Sequence, residues 1–213
     1  MHIPDAFIPI PQAAIYWVIA LIFLALAIRW AKNEMNEDKI PLVAVLAAGI
    51  FALQGFNLPV SMGTSGHLVG GALAAIVLGS PFAAIFILTL VLIIQGVIFG
   101  DGGITTMGAN IINMGVIGGF VGYYTYRGVN TVIKNPFISA GFAAWLACLI
   151  PSLACALEMF FAGTFPLIPG LMAMGIYHAA IGLIEGVVTA GIIYLLSKAR
   201  PDLVSSTIGA AAV

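Results

Sequence analysis

Residues 67–99 read HLVGGALAAIVLGSPFAAIFILTLVLIIQGVIF, without one Asp, Glu, Lys or Arg, and the number of elements in that run decides the fold. Split at Gly79-Ser80-Pro81, it becomes a short Gly- and Ala-rich segment, 67–78, and a long apolar one, 82–99. A kinked or re-entrant element would give the same pattern. Scanning outward for apolar stretches of roughly 17–25 residues, broken at charges, prolines and glycine clusters, adds 11–28, 40–56, 110–126, 136–161 and 171–197. The split therefore makes seven.

Charge arbitrates between six and seven. With seven alternating helices, Arg29, Lys32, Lys39, Arg127, Lys134, Lys198 and Arg200 all fall on one side, and the opposite connections carry no Lys or Arg. That side is then cytoplasmic, with the N-terminus outside and the C-terminus inside. Six helices would return Lys198 and Arg200 to the N-terminal side and spoil the segregation. The expectation is an all-α integral membrane protein, a bundle of seven transmembrane helices forming one domain over 1–213, with residues 1–9 as an external arm.

Composition agrees. The chain is 62% hydrophobic and 7% charged, against about 25% charged for an ordinary soluble domain. A net charge of −1 offers no basic surface, so nucleic acid is not an expected partner. Cys148 and Cys155 lie seven apart in one apolar segment, about 10 Å along a helix, too far for a bond between them. They read as small core residues.

The arm opens MHIPDAFIPIP and lacks the basic n-region and small-residue cleavage site of a secretory signal, so it is expected to persist in the mature chain. Met1-His2 presents an α-amine, a backbone amide and an imidazole Nδ1, which can close adjoining five- and six-membered chelate rings in one plane and leave one in-plane position open. Deprotonating the amide requires a metal that favours strong square-planar nitrogen donors, Ni(II) or Cu(II), with Co(II) also admissible, whereas Zn(II) fits poorly. Pro4 makes the arm short and stiff. The plain alternative is that His2 is an ordinary exposed terminal residue. His67, after the loop SMGTSG and with small residues at Gly63, Gly66, Gly70 and Gly71, falls on the same face and is the candidate for the fourth donor. Its plain alternative is an interfacial cap.

MHIPD at the start, GTSGHLVGGALAAIVLGSPFAA, FGDGGITTMGANIINMG and YHAAIGLIEGVVTA together resemble the CbiM/NikM family, the substrate-binding permease subunits of cobalt and nickel energy-coupling factor transporters. The likeness spans nearly the whole chain. It implies a seven-helix bundle whose N-terminus inserts into an outward pocket and holds metal through Met1, His2 and His67. The partners it implies are a membrane coupling subunit, paired cytoplasmic ATPases and often a small accessory membrane subunit. Ala6 stands where that family often has glycine. Transport across the plasma membrane, Co(II) or Ni(II) as cargo rather than cofactor, and cobalt feeding corrinoid synthesis as the narrow preference, follow from the same likeness.

The remaining polar groups have two readings each. Asp101, Thr105, Thr106 and Asn110 could orient the imidazoles, although Asn110 as a cap on the fifth helix is the favoured reading. Glu158, His178 and Glu185 are intramembrane ionisable groups, read as polar glue between helices. No GxxxxGK[ST] occurs, so energy must come from partners. Ala44 and Ala48 on the second helix would let a coupling helix pack closely; internal packing explains them equally well. Two rivals remain. Gly63-Thr64-Ser65-Gly66 with His178 resembles the dyad of rhomboid-type intramembrane proteases, and a self-sufficient carrier would be expected to show inverted repeats, of which there is no convincing pair. The expected protein is not an enzyme.

Overall fold

The computed structural model describes residues 1–60 and 64–201, and it is mostly helical. Seven helices lie among the described residues: α1 (Ile10–Glu34), α2 (Ile40–Gln54), α3 (Gly71–Leu78), α4 (Pro81–Phe99), α5 (residues 107–133), α6 (Pro136–Phe161) and α7 (Leu167–Ala199). Of these, α1, α4, α6 and α7 are long and apolar enough to cross a bilayer. Two contain π-helical stretches, Gln95–Phe99 at the end of α4 and Ile111–Ile117 within α5. A two-stranded antiparallel ribbon, β1 (Leu58–Val60) with β2 (Thr64–Gly66), departs from the all-α reading; its register pairs Leu58 with Gly66 and Val60 with Thr64.

The split at Gly79-Ser80-Pro81 is real and has a local cause. Gly79 ends α3 in the left-handed region at φ 72°, while the Ser80 side chain accepts from Phe82 N at 3.2 Å and Pro81 sits in the first turn of α4. The expected start of α3 is not observed. The helix begins at Gly71 rather than His67, because Gly70 is left-handed at φ 79° and Glu185 takes the amides of Val69 and Gly70 at 2.7 and 2.8 Å. Eight residues rise only about 12 Å, so α3 alone covers less than half of a hydrocarbon core about 30 Å thick. Elsewhere the helices run past the apolar segments into polar flanks, α1 to Glu34 and α5 to Ile133.

α3 is the centre of the bundle, with Gly71 to Val77 all buried. α5 reaches it through Gly122, where a Cβ would lie 2.6 Å from Ala72 Cα, so only glycine lets the two backbones meet there. α6 and α7 close on each other in the same way at Gly141 and Gly186. Cys148 and Cys155 are free and buried. At one end of the bundle the arm meets the connections 100–106 and 162–166, with Gly103 N donating to Ile3 O and the Thr164 hydroxyl to Phe7 O. The Lys and Arg residues named above sit at or near the other end.

Candidate metal centre

The arm does not lie in solvent. Met1, His2 and Ile3 are all buried, at 0%, 2% and 0% exposure, which removes the reading of His2 as an ordinary exposed terminal residue. What holds them is a set of polar contacts from three elements. Ile3 N donates to Asn110 Oδ1 at 2.9 Å, and Ile3 O accepts from Thr106 Oγ1 at 2.6 Å, Gly103 N at 3.0 Å and Asn110 Nδ2 at 3.2 Å. Asp5 accepts from the amides of Ile104 and Thr105 and from the Thr105 hydroxyl, and these bonds hold its carboxyl below its ordinary range. Gly103 has no room for a side chain, since a Cβ there would overlap Asp5 and Thr106. Gly102, at φ 87°, lies against His2 and Asn110.

The two histidines meet in this pocket. Their rings stack with centroids 4.4 Å apart and planes 26° from parallel. His2 Nε2 faces Gln95 Oε1 at 3.2 Å and His67 Nδ1 faces Leu68 O at 2.7 Å. Both partners are acceptors, so those ring nitrogens carry the protons and the lone pairs fall on His2 Nδ1 and His67 Nε2. Both of these nitrogens are buried without a hydrogen-bond partner. His2 Nδ1 also lies 3.3 Å from Asp101 Oδ1; with the ring neutral, this is a lone pair facing a carboxylate rather than an ion pair. The His2 amide donates to Ser65 Oγ at 3.3 Å.

Electrostatics keep the nitrogens unprotonated. Burial lowers the Met1 amine from its ordinary 8.0 to about 5, and the nearby Cys155, Cys148 and Asp101 offset part of that. Burial, then the amine, lowers His2 to about 3, and His67 is held well below 6.5 by burial, the amine and His2. Asp101 shifts up through burial, with the amine opposing. The pocket is therefore a set of neutral nitrogen donors beside one carboxylate. Among the described residues, no group of three or more His, Cys, Asp or Glu side chains could hold a metal ion. A metal centre here has to use main-chain nitrogen as well.

The other candidates separate. Thr105 touches Asp5 rather than an imidazole, and its carbonyl accepts from Trp17 Nε1. Asn110 is not a cap: it lies inside α5, and its side chain is fully engaged by Ile3, 107 residues away. Glu185 bonds the approach to α3, and Glu158 accepts from Asn113 Nδ2 at 2.6 Å, joining α6 to α5. His178 Nδ1 bonds Met174 O on its own helix, and its Nε2 is buried without a partner. It therefore makes no hydrogen bond to Ser65, whose hydroxyl instead accepts the His2 amide, and the serine protease dyad is absent. Gly63 lies outside the described residues. Ala44 and Ala48 are exposed on α2, so internal packing does not account for them. Gln95 and Ser65 are the contacts that sequence reasoning missed. Gln95 was signalled only as a lone amide in an apolar run.

A family profile described as "Cobalt uptake substrate-specific transmembrane region" matches residues 2–203. A fused nickel transport protein, NikMN, of Rhodobacter capsulatus is 35% identical over 223 aligned residues, covering 96% of this chain and 64% of that one. A cobalt transport protein, CbiM, of Sorangium cellulosum is 31% identical, covering 95% and 94%. A crystal structure described as a truncated transition metal transporter superposes with a TM-score of 0.89 at 31% identity, over 93% of this chain and 99% of that one.

Proposed function

We propose that this chain, which belongs to the CbiM family and is a multi-pass membrane component of cobalt or nickel transport rather than an enzyme, binds its cargo ion at the buried N-terminus. In this reading the ion is held by the Met1 amine, the His2 amide nitrogen and Nδ1, and His67 Nε2. One observation carries it: His2 Nδ1 and His67 Nε2 are buried, unprotonated by their partners' chemistry and without a hydrogen bond. Unpaired buried nitrogens are costly, and a cation that takes both lone pairs removes that cost. The His2 amide must lose its proton to bind. Ser65 Oγ, which now accepts that N–H, can turn its own hydroxyl proton toward the amide anion and stabilise it.

The donor set is four nitrogens, a ligand type that suits a late divalent metal, which is why Co(II) and Ni(II) are both admitted. Family likeness makes cobalt, for cobalamin synthesis, the narrow preference. The chain works as the substrate-binding component of an energy-coupling factor transporter in the plasma membrane, N-terminus outside and C-terminus cytoplasmic, with the domain spanning 1–213. Its partners are a membrane coupling subunit, cytoplasmic ATPases and a small accessory membrane subunit. The absence of a P-loop from the sequence supports external ATPases. Exposed Ala44 and Ala48 on α2 support a helix docking there.

The test is a comparison of free and blocked termini. Calorimetric titration with Co(II) and Ni(II) on the untagged chain, an N-acetylated chain and His67→Ala should show tight binding only in the first, with helix content unchanged in all three. Equal affinity after acetylation would reject the terminal chelate.

A further inference from the structure

On the outer face of the bundle, α6 and α7 leave an apolar groove of about 590 Å³. Its floor is the contact of Gly141 with Gly186, where the missing side chains let the backbones touch and open the bed. Phe137, Phe142 and Trp145 wall it from α6, and Leu183 and Val187 from α7. From Phe137 to Trp145 it runs about 12 Å along the helix. The only polar side-chain atom in these walls is the indole N–H of Trp145, and that already donates to Ala179 O at 3.1 Å. The bed thus offers nothing to a partner that must satisfy hydrogen bonds.

One end of the groove is basic. Phe137 packs edge-on against Tyr194 at 5.4 Å, and the Lys198 ammonium lies 5.8 Å from the centre of the Tyr194 ring. Ala190, Tyr194 and Lys198 succeed one another at four-residue steps, so they share one face of α7 with the groove. Lys134, in the turn before α6, stands exposed at the same end. The acidic residues of α6 and α7, Glu158 and Glu185, are buried and bonded to Asn113 and to the approach to α3. Among the described residues from 134 to 201 no exposed carboxylate opposes the two lysines.

We propose that this groove holds one acyl chain of an anionic phospholipid, with the lipid phosphate at Lys198. An unbranched apolar chain fills a bed without hydrogen-bonding groups, and basic pockets between membrane helices recognise anionic headgroups. Lys198 reaches the headgroup level by extending its stem along the Tyr194 ring.

The experiment uses the whole chain reconstituted in phosphatidylcholine vesicles that carry a minority of dibrominated phosphatidylcholine or dibrominated phosphatidylglycerol. Bromine quenches nearby indoles, and subtracting the signal of Trp145→Phe isolates the Trp145 contribution. At equal bromolipid fraction, the glycerol headgroup should quench Trp145 about fivefold more effectively, the preference expected from one lysine near the membrane surface. Lys198→Gln should abolish that preference while keeping metal affinity. Ala190→Phe, which puts a ring in the bed, should reduce quenching by both lipids. Equal quenching by the two headgroups in the unaltered chain would overturn the proposal, as would a preference that survives Lys198→Gln. Quenching that falls as the protein-to-lipid ratio rises would assign the groove to a second copy of the chain and overturn it equally.

Discussion

Asn110→Leu is the substitution that separates arm docking from helix capping. The replacement is close in size and apolar, so α5 keeps its packing, but Ile3 loses both bonds to the amide. Ile3 O retains Gly103 N at 3.0 Å and Thr106 Oγ1 at 2.6 Å. Ile3 N loses its bond to Asn110 Oδ1, and an unsatisfied buried amide costs about 1–3 kcal/mol. At 1.4 kcal/mol per decade, docking of the arm weakens roughly 5- to 150-fold. Because apparent affinity scales with the competent fraction, metal binding falls by that factor only where docking is already marginal; exchange of the arm's amides rises by it in either case. Hydrogen-exchange mass spectrometry on the 1–9 peptide, paired with calorimetric titration of Co(II), reads both. Unchanged exchange in the arm together with fraying confined to the start of α5 would restore the capping role and refute the docking argument.

Four further outcomes are expected. At pH 7 metal loading should release about one proton, the His2 amide's, because the amine and imidazoles are already neutral; with the ordinary values of 8.0 and 6.5 the release would be about two, and titration in buffers of different ionisation enthalpy distinguishes them. The docked amine's value is lowered, so docking is strongest above pH 8 and weakens by up to about tenfold per pH unit down to about 5, with His2 adding up to another tenfold per unit below 6.5; a protection factor of the arm, its exchange divided by the intrinsic rate at each pH, that stays constant between pH 5 and 8 would contradict this. Ala6→Gly should slow arm exchange by about two- to fivefold, since Ala6 holds φ 70°, a left-handed conformation that costs an L-residue about 1–2 kcal/mol, part of it offset by glycine's greater freedom when undocked. Asp101→Asn should weaken Co(II) and Ni(II) binding by about tenfold or more, the scale of losing an outer partner of a metal ligand, while arm exchange slows rather than rises, because the carboxylate facing the His2 lone pair is gone; equal affinity would remove Asp101 from the site.

What the sequence made legible was whatever depended on neighbours. Gly79-Ser80-Pro81 broke the apolar run because its left-handed glycine, serine cap and proline act within four residues. The true start of α3 was not legible, because Glu185 sets it from 115 residues away. Asn110 failed for the same reason: a cap is a local pattern, and its partner proved to be Ile3. His2 and His67 stood out by position and residue type, and the structure brings their rings together. Gln95 and Ser65 touch His2 from segments whose local sequence gives no reason for them to face an arm.

The pocket also contains a conflict that bears on its composition. His2 Nδ1 turns a lone pair toward Asp101 Oδ1 at 3.3 Å, and two acceptors at that distance repel one another. Ile3, Asp5, Thr106 and Asn110 hold the arm there regardless. A divalent cation at the proposed site would turn the repulsion into attraction. Its two charges would be met by the deprotonated His2 amide and the Asp101 carboxylate, leaving the loaded centre close to neutral. A monovalent ion would leave an excess negative charge and a trivalent ion an excess positive one, and either is penalised in a buried site of low polarity. On the proposed chelate, the pocket would select charge by neutralisation and donor type by its nitrogens, so that an arm of two residues and one distant histidine would suffice.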